Sequence, residues 1–296
     1  MRIRVVLVLV LVLVLDLARA HADTVTVGLF APTAPFSSTS ARVELATRLG
    51  EAVGKALGAT GSGKVFARGA DFATAVRKGE VAVALVDAAY LAVGGGNYTI
   101  VASAVRGGDA TAAWQLVARG TDKLAQLKGK RVLVPGIGGR ETDFVLNVLL
   151  EGEVPKDFFA KIETAPDTVS ALAALGLGKA DAAVVPAGVE IPGGVSVVAR
   201  LPALSGPVLV TYGSVTPDKR QALAAAITSF KGDATVSGFK AAEPDAVKQI
   251  ARRFTVPAKR GPLAVPAIRL LVGDLVEGRK LSIERTPVTA FAAKPH

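Results

Sequence analysis

The side chains that most often do chemistry in proteins are scarce in this chain. Its 296 residues include no cysteine and two histidines, His21 and His296, which stand near opposite ends. Cysteine-ligated zinc and iron–sulfur sites are excluded, and we expect neither a histidine triad nor a metal site. Two carboxylates, Asp87 and Glu141, follow predicted strands and would serve a hydrolase if they faced each other. We favour a helix-capping Asp87 and a Glu141 in the first turn of a helix, and we expect no enzyme activity.

Two glycine-rich stretches partly match phosphate-binding motifs. Residues 58–65 nearly form a P-loop, but Val65 stands where a magnesium-binding hydroxyl is needed, and a helix rather than a strand precedes the stretch. Residues 136–141 begin like a dinucleotide fingerprint, but Glu141 replaces the third glycine. We therefore reject nucleotide binding at both places. The first stretch is interpreted as a flexible turn between a helix and a strand.

The N-terminus has the order of a secretory signal. Two arginines precede an unbroken apolar run at residues 5–15, and Ala20-His21-Ala22 fits a cleavage site. The run is too short for a membrane-spanning helix, which needs about 20 residues. We predict a signal peptide at residues 1–22, a mature N-terminus at Asp23 and a mature protein outside the cytoplasm.

Composition and charge narrow the class of protein further. Half of the residues are hydrophobic and 20% are charged, which excludes a disordered chain. The formal net charge is +10, and the surplus is concentrated in residues 240–296. That region offers few aromatic side chains for stacking on bases, so we expect no nucleic-acid partner. Its basic residues are interpreted as a solvated surface, with docking to a membrane partner or anionic lipid as the alternative.

The spacing of apolar residues predicts two similar α/β units. In the first, strands at residues 24–31, 64–67 and 81–86 alternate with helices at 39–57 and 71–78, the latter capped by Asp71. In the second, strands at 131–134, 161–164 and 182–185 alternate with a helix around Phe144 and one capped by Asp167 or Thr168. Each unit is predicted to be βαβαβ with a mostly parallel sheet flanked by helices, so we predict a two-lobe α/β fold with a ligand cleft between the lobes.

Further strands are predicted to connect the two units. Residues 98–106 and 112–119 cross from the first to the second, and residues 195–201 and 207–212 return. Thr216 caps the next helix, with Pro217 at its first position. The predicted division is a signal peptide at 1–22, lobe 1 at 23–105 plus 206–254, lobe 2 at 106–205, and a basic, proline-containing extension at 255–296.

Four stretches carry a resemblance to a known family: TVTVGLF, DFATAVRKGEVAVALVDAAYLA, LAQLKGKRVLVP and VSALAALGLGKADAAVVP. With them, residues 24–254 resemble the type II periplasmic substrate-binding proteins of ABC transporters, and in particular the phosphate/phosphite/phosphonate-binding branch. The resemblance implies a periplasmic protein, and we expect it to be a monomer without a cofactor. It would close two lobes on a small ligand, possessing an oxyanion or phosphonate-like group, and deliver it to a membrane permease.

The candidate ligand site follows from the fold. Ligands of open α/β sheets bind beyond the carboxyl ends of the strands, where helix starts offer free N–H groups. Where the family has a Ser/Thr-rich run, this chain has Gly138-Gly139-Arg140-Glu141-Thr142, so Arg140 becomes the expected partner of an anion. Because the predicted cleft is lined by glycine and alanine, an organic or lipid-like ligand remains an alternative. An enzyme that uses carboxylates on the same fold is a further alternative. The predicted ligand-binding residues are Ser37, Ser38, Thr39, Asp87, Tyr90, Trp114, Gly138, Gly139, Arg140, Thr142 and Tyr212.

Overall fold

The computed structural model describes residues 24–94, 96–213 and 215–255, all of which belong to one compact unit. The predicted signal peptide lies outside the described residues, and so does the predicted C-terminal extension apart from Thr255. The described chain forms two separate β-sheets flanked by helices. We call the part built on the six-stranded sheet lobe 1 and the part built on the five-stranded sheet lobe 2.

Lobe 1 has a mixed sheet with helices on both faces. Side chains alternate along its central strand, so Val83 and Leu85 pack on one face while Ala84 and Val86 pack on the other. The strands are β1 (Thr24–Phe30), β2 (Thr60–Val65), β3 (Val83–Asp87), β4 (Tyr98–Val105), β10 (Pro207–Tyr212) and β11 (Gly238–Ala241), in the order β11-β4-β10-β3-β1-β2. Helices α1 (Thr39–Leu57) and α6 (Pro217–Ile227) cover the first face, and α2 (Gly69–Arg77) and α3 (Ala88–Gly94) cover the second.

Lobe 2 repeats the plan on a smaller scale. Its strands are β5 (Thr111–Arg119), β6 (Arg131–Pro135), β7 (Lys161–Ala165), β8 (Ala182–Pro186) and β9 (Val195–Ser205), in the order β7-β6-β8-β5-β9. A 3₁₀ turn at Leu124–Leu127 precedes β6. The helical parts are a single turn, α4 (Glu141–Asp143), the π-helical segment Phe144–Leu149 that continues it, and α5 (Thr168–Gly176). The predicted cap of α5 is confirmed, since the Asp167 side chain accepts a hydrogen bond from the N–H of Ser170 at 2.8 Å.

The chain passes between the sheets twice through very short connections. Between β4 and β5, Arg106 and Asp109 form a bridge around Gly107 and Gly108, which both have positive φ angles. Between β9 and β10 there is a single residue, Gly206. The predicted domain boundaries fall near these connections and stay a prediction. Short connections between two lobes are where hinge motions of such proteins generally occur.

The glycine-rich stretch at residues 58–65 is mostly a strand, so its interpretation as a flexible turn was wrong. Gly58 ends α1 in the left-handed conformation, and β2 then runs along the edge of the sheet. A Cβ atom at Gly61 would overlap the carbonyl oxygen of Gly50 in α1. The glycines therefore let the backbone of a helix lie directly against the backbone of a strand.

Three further elements differ from the prediction. Helix α2 begins at Gly69 rather than at Asp71, and Asp71 pairs with Arg68 at 2.7 Å instead of capping the helix. The earlier start depends on tertiary packing, because Gly69 lies under the ring of Tyr90. Neither β11 nor the last helix, α7 (Ala246–Arg253), is predicted by periodicity. Helix α7 packs against α3 of lobe 1 and also contacts β9 and the π-helical segment of lobe 2.

Candidate functional site

A cavity of about 50 Å³, here called the hinge cavity, lies where the two connections between the sheets pass each other. Both connections line it, through Val105, Arg106 and Asp109 on one side and Ser205 and Gly206 on the other. Its remaining lining comes from the strand ends at this edge of the two sheets and from loops beside them: Thr33, Ala34, Pro35, Ala89, Ala104, Ala110, Thr111, Ala112, Trp114, Pro186, Leu204, Pro207, Thr235 and Val236. The cavity thus lies at the edge of the sheets where the parallel strands end, the region in which ligands of open α/β sheets generally bind. It is smaller than an engineered cavity of roughly 150 Å³ that binds benzene.

Trp114 is the predicted site residue that lines this cavity. It lies on β5, is 4% exposed, and contacts the ring of Phe144 edge-on with 5.3 Å between ring centroids. The side chain therefore packs in the core of lobe 2 and also forms part of the cavity wall.

The hydroxyl-rich run after β1 lies away from the cavity. Ser37, Ser38 and Thr39 are all exposed. The Oγ atom of Ser38 accepts a hydrogen bond from the N–H of Ala41 at 3.1 Å, which caps α1. In this arrangement Ser38 serves the helix start rather than a ligand.

Asp87 is buried at the carboxyl end of β3. Its Oδ2 atom accepts a hydrogen bond from the N–H of Thr33 at 2.8 Å, so it holds the loop after β1 and does not cap α3 as we expected. Its Oδ1 atom is buried and has no hydrogen-bond partner among the described residues. Burial raises the pKa of Asp87 to about 7, against the opposing effect of the hydrogen bond from Thr33 and the charge of Arg42.

Tyr90 and Gly138 bring the two lobes into direct contact. The ring of the half-buried Tyr90, on α3, lies so close to Gly138 that a Cβ atom there would overlap it. Next to it, Gly139 faces Val93, and a Cβ atom added to this glycine would lie 3.8 Å from Cγ1 of the valine. The Tyr90 hydroxyl donates to the carbonyl oxygen of Gly69 at 3.4 Å. The predicted site residues of the two lobes therefore meet, and they touch each other without a space between them.

An acidic side chain at the end of the loop between β6 and α4 binds backbone N–H groups of that loop. The Oε1 atom of Glu141 accepts hydrogen bonds from the N–H groups of Ile137 at 3.1 Å and Gly139 at 3.0 Å. Glu141 stands in the first turn as predicted. Its partners differ from those of Asp87, so the described structure does not join the two carboxylates into one acid–base pair.

Arg140 turns towards the end of α7. Its guanidinium pairs with Asp143 at 2.9 Å, donates to the carbonyl oxygen of Phe254 at 3.4 Å and lies 4.8 Å from the centre of that ring. Thr142 is exposed. Arg140 as an anion partner therefore stays a prediction that requires the guanidinium to leave these three contacts.

Tyr212 lies at the far end of the sheet from Asp87. The residue before it, Thr211, pairs with Val83 at the amino end of β3. The N–H of Tyr212 donates to the carbonyl oxygen of Ala82 at 2.9 Å. Its ring packs against Phe72 with 6.2 Å between centroids. Burial raises the pKa of Tyr212, and the neighbouring Tyr90 and Tyr98 raise it further. The described structure brings Tyr212 together with aromatic core residues and not with the cavity.

Sequence reasoning missed the polar contacts between the lobes. The N–H of Thr168, at the start of α5, donates to the carbonyl oxygen of Pro32 at 3.1 Å, and its hydroxyl donates to that of Thr33 at 3.0 Å. Beside it, Arg42 of α1 pairs with Asp167 at 2.9 Å, and both side chains are largely buried. Burial raises the pKa of Asp167, but hydrogen bonds from Ser170 and Arg42 lower it by more. The pKa of Asp167 is therefore below its usual value. In the sequence, the signal that marked this region was the predicted helix cap at Asp167 or Thr168.

A second set of contacts joins α7 to lobe 2. The carbonyl oxygen of Phe254 accepts from Asn147 at 3.4 Å as well as from Arg140, and its ring stacks on Phe144 at 6.1 Å. No periodic pattern marks Phe254, because its partners are distant in sequence.

Metal clusters and membrane spans are absent from the part of the chain that is described. Within residues 24–94, 96–213 and 215–255, no three acidic or histidine side chains group in a way that could hold a metal ion. In the same ranges, no helix has both the length and the apolar character needed to cross a bilayer.

The chain matches known proteins in sequence and in fold. Residues 33–255 match the family described as ABC transporter, phosphonate, periplasmic substrate-binding protein. No protein with a curated description matches the sequence.

Solved structures share the fold at low identity. PhnD1 from Prochlorococcus marinus, in complex with methylphosphonate, is 13% identical with a TM-score of 0.62, and the match covers 80% of this chain and 100% of that one. A binding protein component of an ABC phosphonate transporter from Pseudomonas aeruginosa is 16% identical with a TM-score of 0.62, covering 80% and 90%. A Xanthomonas citri protein bound to a chloride ion is 13% identical with a TM-score of 0.63, covering 78% and 97%.

These matches agree with the two separate sheets flanked by helices. They confirm the two-lobe type II fold and the resemblance on which we based it. The chain belongs to the family of periplasmic substrate-binding proteins of ABC phosphonate transporters.

Proposed function

We propose that the mature protein captures a small organic solute in the hinge cavity and presents it to a membrane permease. The observation that carries the proposal is the position of the cavity, which both connections between the sheets line together with Trp114 and Thr33. A ligand there touches both lobes at once. It therefore stabilises the closed arrangement by its higher affinity for that state.

The size of the cavity supports a mechanism in which the two lobes close around the solute. About 50 Å³ holds a few waters or a small chemical group, so a larger solute must enter while the lobes are apart. Contacts such as Thr168 on Thr33 and Tyr90 on Gly138 bridge the lobes, so they would form as the lobes come together. The lining is largely apolar, through side chains such as Leu204 and Val236, which favours a solute with a hydrocarbon part.

We propose a binding role rather than catalysis. Asp87 and Glu141 are the carboxylates that an enzyme on this fold would use. Asp87 accepts a hydrogen bond from the N–H of Thr33, and Glu141 accepts from the N–H groups of Ile137 and Gly139 in its own loop. A general acid and base must instead reach the same substrate atom or water. The proposed protein is a monomer that works without a cofactor.

The proposed location is the periplasm, reached through the signal at residues 1–22. The Ala20-His21-Ala22 site predicts that the exported protein begins at Asp23. N-terminal sequencing of protein from the periplasmic fraction tests this, and an intact Met1 would contradict it.

The proposed binding mode is tested with small molecules that co-purify with the mature protein. Native mass spectrometry identifies the solute, and X-ray scattering with and without it should show a smaller radius of gyration in its presence. At 100 times its dissociation constant the solute should add about 2.7 kcal/mol to the free energy of unfolding.

A matched pair of variants locates the solute. Ala112 lines the cavity, whereas the next residue on β5, Ala113, is exposed and does not. Ala112→Leu should abolish the scattering change and Ala113→Leu should keep it. Equal binding by both variants would place the solute elsewhere and contradict the proposal.

A further inference from the structure

The loop after β1 forms one wall of the hinge cavity, through Thr33, Ala34 and Pro35. Lobe 1 holds this wall at two points. The N–H of Thr33 donates to Asp87 at 2.8 Å, and the hydroxyl of Thr235 donates to the carbonyl oxygen of Pro35 at 3.4 Å. Both bonds lie within lobe 1, so they are kept when the lobes move apart.

Lobe 2 holds the same wall through a single residue, Thr168. Its N–H donates to the carbonyl oxygen of Pro32 at 3.1 Å, and its hydroxyl donates to that of Thr33 at 3.0 Å. Thr168 is 1% exposed, so both bonds are shielded from water. Because the donors and the acceptors belong to different lobes, the lobes cannot separate here without breaking both bonds.

The start of α5 explains why these donors reach across to lobe 1. Thr168 is the first residue of the helix, so its N–H has no partner within α5. Asp167, before it, caps the helix through Ser170 and pairs with Arg42 of lobe 1 at 2.9 Å. The cap and the ion pair together hold the start of α5 against the wall.

We propose that Thr168 is the positioning residue that fixes the wall of the hinge cavity when the lobes close, and that its two hydrogen bonds must open before a molecule can leave the cavity. This inference rests on the proposed function and adds to it the contact that controls release. Thr33 lines the cavity whereas Thr168 does not, so Thr168 acts through the wall and not on the solute.

Three substitutions of Thr168 remove its donors one at a time. Thr168→Ser keeps both donors, and Thr168→Val keeps the shape and the N–H but loses the hydroxyl. Thr168→Pro loses both donors, yet proline suits the first position of a helix, as Pro217 shows in α6. Asp167 has the extended backbone, with φ −160° and ψ 177°, that can precede a proline.

The measurement uses Trp114, which is the one tryptophan of the chain and lines the hinge cavity. Acrylamide is too large for a cavity of about 50 Å³, so it should quench the indole only while the lobes are apart. In mature protein freed of co-purified molecules, Thr168→Val should raise the quenching constant about two- to tenfold, the factor that one net hydrogen bond contributes to an equilibrium. Thr168→Pro should raise it further, and Thr168→Ser should match the parent.

A matched variant and a second readout separate positioning from folding. Thr164→Val makes the same change at an exposed threonine of β7 in lobe 2, and it should be quenched like the parent. Urea denaturation of every variant measures stability separately. A purely structural Thr168 would lower the free energy of unfolding and leave the quenching of the folded protein unchanged.

Equal quenching of Thr168→Val and Thr168→Ser would overturn the inference, and so would an equal rise in Thr164→Val. If Thr168→Pro does not fold, the comparison of the valine and serine variants decides. X-ray scattering should give a larger radius of gyration in the same order as the quenching.

The outcomes for the inference and for the proposed function are distinct. If a co-purified solute binds the parent and shrinks its radius, while Thr168→Val is quenched like the parent, solute binding stands and the role of Thr168 fails. If the quenching follows the predicted order and no co-purified molecule binds, the contact of Thr168 with the wall stands and the proposed function fails.

Discussion

The carboxylate of Glu141 accepts a hydrogen bond from the N–H of Gly139 at 3.0 Å, within the loop between β6 and α4. The N–H of Ile137 donates to the same oxygen. An acidic side chain thus occupies the two N–H groups that the loop would otherwise turn towards an anion. A substrate with an acidic group would have to displace it.

Removing this carboxylate should destabilise the protein. Glu141→Ala leaves two partly buried N–H groups without their charged acceptor, which should cost about 1–3 kcal/mol of unfolding free energy. Urea denaturation measures it, and Glu153→Ala, at an exposed glutamate, is the control. A loss no larger than the control's would show that the two bonds contribute nothing to the folded state.

The ion pair between Arg42 and Asp167 should couple the two lobes. Both partners are largely buried, so Arg42→Met leaves Asp167 uncompensated and should cost about 3–5 kcal/mol. Asp167→Asn keeps the acceptor that caps α5, and a double-mutant cycle with it should give a coupling of about 0.5–3 kcal/mol. The exposed pair of Arg68 with Asp71 is the control, and its removal should change stability little. Additive effects of the two buried substitutions would rule out a direct interaction.

Asp87 should make the stability of the protein fall as the pH rises from about 4 to about 7. Its pKa is about 7 in the folded protein and near 4 in an unfolded chain, so the folded state binds the proton more tightly. The stabilisation is complete below pH 4 and is lost progressively up to about pH 7, because the folded protein must then bury a charged carboxylate.

The isosteric variant Asp87→Asn checks that dependence. It should remove the fall in stability between pH 5 and pH 8 and be more stable than the parent at pH 8, by an amount on the order of a few kcal/mol. Thermal unfolding across this pH range measures both. Parallel stability curves for the two proteins would contradict a raised pKa.

The contact of Gly138 with Tyr90 should tolerate no side chain. Gly138→Ala adds a Cβ atom that overlaps the ring, at a positive φ of 86°, and should cost about 1–3 kcal/mol. Gly194→Ala is the matched control, since Gly194 has a φ of 76° but open space around it. Melting temperatures of both should separate the backbone cost from the steric cost.

The same substitution in a Tyr90→Ala protein tests whether the steric cost arises from the contact between the lobes. In Tyr90→Ala protein the ring is gone, so Gly138→Ala should then cost no more than Gly194→Ala. A cost that persists without the ring would show that Tyr90 is not the obstacle.

The sequence alone determined the two-lobe plan, because that plan depends on local patterns. Apolar periodicity marked α1 with its observed bounds, and short apolar runs marked β3 and β8 as buried parallel strands. Capping chemistry identified the starts of α5 and α6 at Asp167 and Thr216, since a side-chain oxygen bonds an N–H only three residues away. Four recurring stretches pointed to the family.

Tertiary structure decided which polar groups are free, because hydrogen-bond partners distant in sequence leave no periodic pattern. Thr33 lies 54 residues from Asp87, and Pro32 lies 136 from Thr168. Arg140 and Glu141 have the residue types of an anion site, yet one turns to Phe254 and the other occupies the N–H groups of its own loop. Asp87 has the residue type of a helix cap, yet its Oδ2 atom accepts a hydrogen bond from the N–H of Thr33. Packing between the lobes, which no local pattern encodes, thus determined the chemistry of the site.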